Sequence, residues 1–225
     1  MTPAGFLAIA LLVLVPAWGV WRSRPDRPKQ ERKARYKSTM ALGLGLLAAL
    51  ALVAWREGLG LADLGLGPLD RTGAWSLAAA ATLLALLSLG LRSTKARKER
   101  PDDSATAMLP HASDEVPLFA AMILVAGIGW ELLYRGFLLW FLPPFTGLWP
   151  AVAIAALAYG LAHGWHSGKR FAASLVSALL FTTGYALTHS LWWLILIHLG
   201  LPLIGYLGWR RLRQTPPATP AEALA

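Results

Sequence analysis

The chain alternates long apolar blocks with short polar breaks. The blocks run over residues 4–21, 39–55, 72–91, 117–142, 148–167, 170–187 and 190–209. A helix needs roughly 20 apolar residues to cross a hydrocarbon core about 30 Å thick. Each block therefore predicts one helix of about that length, and several are on the short side. The expected fold is all-α: a polytopic transmembrane helix bundle of about seven spans. The first block, "AGFLAIALLVLVPAWGVW", has no positive n-region and no clear small-x-small cleavage site. It reads as a retained helix rather than a signal peptide. Residues 57–69 are too charged to read as an eighth span.

The polar breaks differ in charge. The first, "RSRPDRPKQERKARYK", carries eight Lys and Arg, and "RSTKARKER" after the third block carries five. The break after the second block has only Arg56 and Arg71 beside Glu57, Asp63 and Asp70. Lys169 and Arg170 sit between blocks five and six; Arg210, Arg211 and Arg213 follow block seven. Basic loops stay on the cytoplasmic side of a membrane. The alternation then places the N-terminus outside and the C-terminus in the cytoplasm. The one acidic break, "PDDSATAMLPHASDEV", divides the chain. Residues 1–100 hold three helices with basic loops, 101–116 form a polar linker, 117–209 form a four-helix membrane core, and 210–225 are a Pro/Ala-rich tail expected to be disordered.

Composition agrees. Of the 225 residues, 56% are hydrophobic and 15% charged, against about 25% charged in a soluble domain. Mean hydropathy is +0.50. The expected location is the cell membrane, multi-pass, with the lipid bilayer as one partner. Net charge is +9, but the basic residues cluster at block ends, so membrane orientation explains them and nucleic acid does not. There is no cysteine, which excludes disulfides, thiolate chemistry and Cys-ligated metals.

Candidate chemistry is confined to the last four blocks. "GWELLYRG" puts Glu131 and Arg135 inside an apolar run. An ion at the centre of a membrane helix costs at least about 2.5 kcal/mol, so such residues face protein or a wet cavity. At i,i+4 the two share a helix face and can neutralise each other, which alone makes a structural ion pair. "YGLAHGWH" adds Tyr159 and His163 near the end of the fifth block, and "WWLILIHLGLP" adds His198 in the seventh. A carboxylate and two imidazoles from separate helices make a metal or water-activating site if they converge; each histidine alone is as readily an interhelical hydrogen bond. His166 fits a loop role, and His111 and His189 lie outside the blocks.

These residues resemble the CPBP intramembrane proteases, also called the CAAX-protease and bacteriocin-processing, or Abi, family. The family's EExxxR-Gly motif is matched by "WELLYRG", its FxxxH motif by "YGLAH", and its late histidine segment by "GYALTHSLWWLILIH", ending at His198. The resemblance covers residues 117–209. It implies an intramembrane metalloendopeptidase that hydrolyses a peptide bond of a membrane-associated protein or peptide. Glu131 and His163 would activate water, His198 would stabilise the oxyanion, and Arg135 would orient Glu131. A divalent metal such as zinc, held by Glu131, His163 and His198, is the implied candidate cofactor. Two positions depart from the pattern. Trp130 replaces the first glutamate and would line the peptide's path, and Pro202 replaces a polar residue four positions after His198. Both departures favour an alternative: an inactive relative acting as a membrane-binding or bacteriocin-immunity protein. A small proton-coupled transporter is a third reading.

Overall fold

The computed structural model describes residues 2–28, 30–90, 106–165 and 167–214. The basic loop 92–100, the first part of the linker (101–105), His166 and the tail from 215 lie outside the described residues. The described elements are helical: α1 (Pro3–Arg22), α2 (Arg32–Glu57), α3 (Arg71–Gly90), α4 (Ser113–Phe141), α5 (Leu148–Ala162), α6 (Gly168–Thr188) and α7 (Trp192–Gln214). Six stretches are long and apolar enough to cross a membrane, and α5, at 15 residues, is a shorter apolar helix. The protein is thus a polytopic helix bundle of the multi-pass membrane kind. Its outward surface is apolar: Trp55, Leu180 and Leu187 are all well exposed. Such a surface suits lipid, where backbone groups are satisfied within helices.

Helix α4 is central. It packs against α2 on one side, α7 on another, and on a third a short π turn at Ala62–Leu66 that buries Leu64 and Gly65. Helix α5 contributes small buried residues, Ala151, Ala155, Ala156, Ala158 and Gly160. These let α1 and α6 approach closely, the usual way membrane helices gain packing contact. Two π turns face each other, Ala10–Leu14 in α1 and Leu132–Phe137 in α4. The Tyr134 hydroxyl on the second donates to the Leu11 carbonyl on the first at 3.0 Å. A π turn displaces carbonyls from the regular ladder, and this one is satisfied across the helix interface.

Two helix ends differ from expectation, each for a local reason. Helix α2 starts at Arg32, inside the expected basic loop. Its first turn is tied to the linker: Arg32 pairs with Glu115 at 3.2 Å, Lys33 with Asp114 at 2.6 Å, and the Tyr36 hydroxyl donates to the Met108 carbonyl at 2.7 Å. Helix α5 stops at Ala162 rather than near 167. His163 forms its C-cap, and Gly164, at φ +90°, turns the chain away.

The end of α1 docks on that cap. A Cβ on Gly19 would lie 2.4 Å from the Ala162 carbonyl oxygen, and the Trp165 N–H donates to the Ser23 hydroxyl at 2.7 Å. Gly19→Ala should therefore destabilise the chain by about 1–3 kcal/mol, the usual cost of forced overpacking. Gly45→Ala, with open space around it, should be neutral or stabilise by up to about 1 kcal/mol, because alanine favours the helix. Melting temperatures in one detergent compare the two; equal shifts would mean that α1 does not dock tightly.

Candidate active site

The site is built around Glu131 and Arg135, one turn apart on α4. Glu131 is 2% exposed and Arg135 fully buried. Arg135 Nη1 donates to Glu131 Oε1 at 3.0 Å, so the spacing delivers the expected ion pair. Arg135 reaches further. Its Nε donates to the Thr182 hydroxyl of α6 at 3.3 Å, and its guanidinium lies 3.9 Å from the centre of the Tyr159 ring of α5. Glu131 Oε1 also accepts from His198 Nδ1 of α7 at 2.8 Å. One buried pair therefore ties α4 to α5, α6 and α7. Thr182 carried no signal of its own in the sequence, because threonine is common in apolar helices and its partner lies 47 residues away.

The hydrogen bonds fix the histidine tautomers. Glu131 Oε1 takes two donors, so the His198 Nδ1 facing it carries its proton. His163 Nδ1 lies 2.9 Å from the Tyr159 carbonyl. A carbonyl only accepts, so this Nδ1 also carries the proton. In each neutral imidazole the free lone pair is then on Nε2, the arrangement of a base whose other nitrogen is anchored. The two rings line one cavity of about 280 Å³. Trp130 lines it too, beside residues from α1 (Trp18, Gly19, Arg22) and α2 (Arg35, Thr39). The early end of α5 brings His163 to the same cavity as His198. An aromatic row backs it: Trp130 to Tyr134, Tyr134 to Tyr159 and Tyr159 to His163, with ring centres 5.7, 5.4 and 4.3 Å apart.

Glu131, His163 and His198 are thus gathered in one region, but in two layers. Glu131 sits behind His198, closed by Arg135, while the two histidines face the cavity. Pro202, on the turn after His198, has no N–H to give the His198 carbonyl. The zinc expectation does not fit this donor set. Among the described residues no three His, Asp or Glu side chains are grouped to hold a metal ion. The carboxylate oxygen aimed at His198 is occupied twice, and the Arg135 cation beside it opposes a second positive charge.

Residues 112–204 match the family model described as type II CAAX prenyl endopeptidase Rce1-like. The chain contains an Rce1-like domain. This is the CAAX-protease, Abi or CPBP grouping that the three motifs resemble, and Glu131, Arg135, Tyr159, His163 and His198 all fall inside the match. No curated protein and no solved structure matches the chain. The Rce1-like domain starts at the linker and ends within α7. Helices α1 and α2, which supply one wall of the cavity, lie before it.

Proposed function

We propose that the chain is an intramembrane endopeptidase of the CAAX-protease type, acting on a membrane-associated protein or peptide. It would lie with its N-terminus outside and its C-terminus in the cytoplasm, as the basic loops favour. The observation that carries the reading is the pair of anchored imidazoles on one cavity, His198 backed by Glu131. A carboxylate behind an imidazole holds its tautomer and stabilises the imidazolium that forms when it takes a proton.

The chemistry follows from that layering. Water gives a proton to Nε2 of His198 as its oxygen bonds to the scissile carbonyl carbon, and the carbonyl π electrons move to oxygen. His163, whose Nδ1 proton is held by the Tyr159 carbonyl, accepts a hydrogen bond at Nε2 from the second O–H of that water and orients it for attack. Collapse of the tetrahedral species breaks the C–N bond, and the leaving nitrogen takes the proton from His198. Arg135 is a positioning residue: it holds Glu131, and through Glu131 it holds His198. The base role thus moves from Glu131, as the resemblance implies it, to His198. Glu131 is too closed to reach water.

The test is cleavage of a membrane-peptide library by the purified chain. His163→Ala should lower turnover at least about a hundredfold, the order of loss when a reacting group is misplaced. Addition of EDTA should change it less than twofold, since no donor set for a metal is assembled among the described residues. A second reading has support in Trp130, which takes the place of the family's first glutamate, and in Arg135, which neutralises Glu131. It makes the chain an inactive membrane-binding or immunity protein. Cleavage of no peptide by a folded chain would decide for it.

A further inference from the structure

The cavity holds cations that the hydrolytic chemistry does not use. Arg22, the last residue of α1, and Arg35, one turn into α2, both line it, and both are half-buried. Among the described residues neither has an acidic partner, and no Asp or Glu lines the cavity. Two neighbours are neutralised: Arg32 and Lys33, on the same turn of α2 as Arg35, pair with Glu115 and Asp114. Two like charges turned into a shared, partly dry space repel, and each loses solvation. Membrane orientation explains basic residues at helix ends, but it does not explain side chains directed inward beside two imidazoles.

We propose that Arg22 and Arg35 form a carboxylate subsite that selects the substrate. This rests on the endopeptidase reading. The ligand is a peptide bearing a carboxylate, either its C-terminal group or a Glu or Asp side chain. A guanidinium presents a planar fork of N–H donors that matches a carboxylate in a bidentate way. Cavity size sets the reach. A sphere of the cavity's volume, about 280 Å³, would be roughly 8 Å across, a length that an extended chain spans in about two residues. The carboxylate therefore sits within about two residues of the bond that is cut. Both arginines lie outside the matched Rce1-like domain, so the N-terminal helices carry specificity and the domain carries the chemistry.

The experiment uses the full-length chain in nanodiscs and four probes. These are a short apolar peptide with a free C-terminal carboxylate, the same peptide amidated, the amidated peptide with a Glu near its centre, and inorganic phosphate. Binding is read from the shift in melting temperature, and cleavage is read separately. The wild type should bind one or both carboxylate peptides at least tenfold more tightly than the amide, and the comparison of the two identifies the source. Arg22→Gln and Arg35→Gln should each bring the preference below threefold. Arg22→Lys and Arg35→Lys should keep part of it, and the melts themselves show whether each variant folds. Equal binding of acids and amide overturns the subsite whether or not peptides are cut. So does phosphate, or exchange of neutral for anionic lipid in the nanodisc, if either abolishes the preference at the concentrations tested, since the site would then belong to phosphate groups. A carboxylate preference without cleavage of any peptide leaves the subsite standing and ends the endopeptidase reading.

Discussion

Arg135→Met should lower the unfolding free energy of the purified chain by about 3–5 kcal/mol, the cost of stripping one partner from a buried ion pair. The mechanism is specific. Glu131 would keep only His198 as a donor, at 2.8 Å, and its second oxygen already has no partner. Thr182 and the Tyr159 ring would lose the guanidinium that joins α5 and α6 to α4. The double variant Glu131→Met/Arg135→Met should recover most of the loss, because apolar residues of similar volume often replace a buried pair without net cost. Denaturant unfolding of wild type, both single variants and the double variant in one detergent completes the cycle. If Arg135→Met costs no more than about 1 kcal/mol, the range of an exposed pair, the four-helix tether does not exist as described.

The same pair explains why part of the site was legible in the chain. A charge inside an apolar block is costly enough to demand a reason, so Glu131, Arg135 and the mid-block His198 announce themselves, and helical spacing joins the first two. Other members were hidden by ambiguity. Arg22 and Arg35 read as ordinary basic residues at helix ends, and only the packing of α1 against α5 turns that wall into a cavity lining. Helix α2 begins within a basic stretch because its neutralising partners, Asp114 and Glu115, lie more than 80 positions away, beyond any local pattern. The early end of α5 did have a signal. Gly164 directly follows the histidine, and glycine just past a helix commonly adopts the left-handed conformation that ends it. Read that way, "YGLAHGWH" places His163 on a cap rather than inside a helix.

Trp130→Glu should raise turnover by about 10²–10⁴, the contribution of a well-placed general base. Trp130 lines the same cavity as His163 and His198, and the motif it belongs to otherwise carries a glutamate there. The electrostatic setting favours the change. Arg22 and Arg35 share the lining, and among the described residues no acid does, so a new carboxylate meets cations rather than like charge. Loss of the indole's contact with Tyr134, with ring centres 5.7 Å apart, should cost less than the roughly 3–5 kcal/mol of a fully buried aromatic, because Trp130 is only half-buried. The new carboxylate would also compete with the substrate's own for the arginines, so KM should rise along with kcat. That split separates this outcome from a general loosening of the cavity, which raises KM alone. A folded Trp130→Glu chain with unchanged turnover would mean that water is not activated at this wall, and His198 with Glu131 behind it would then act without help from position 130. If neither wild type nor variant cuts any peptide, the lone pairs on the two imidazoles are not directed at a scissile bond, and the buried pair serves only to hold the helices together.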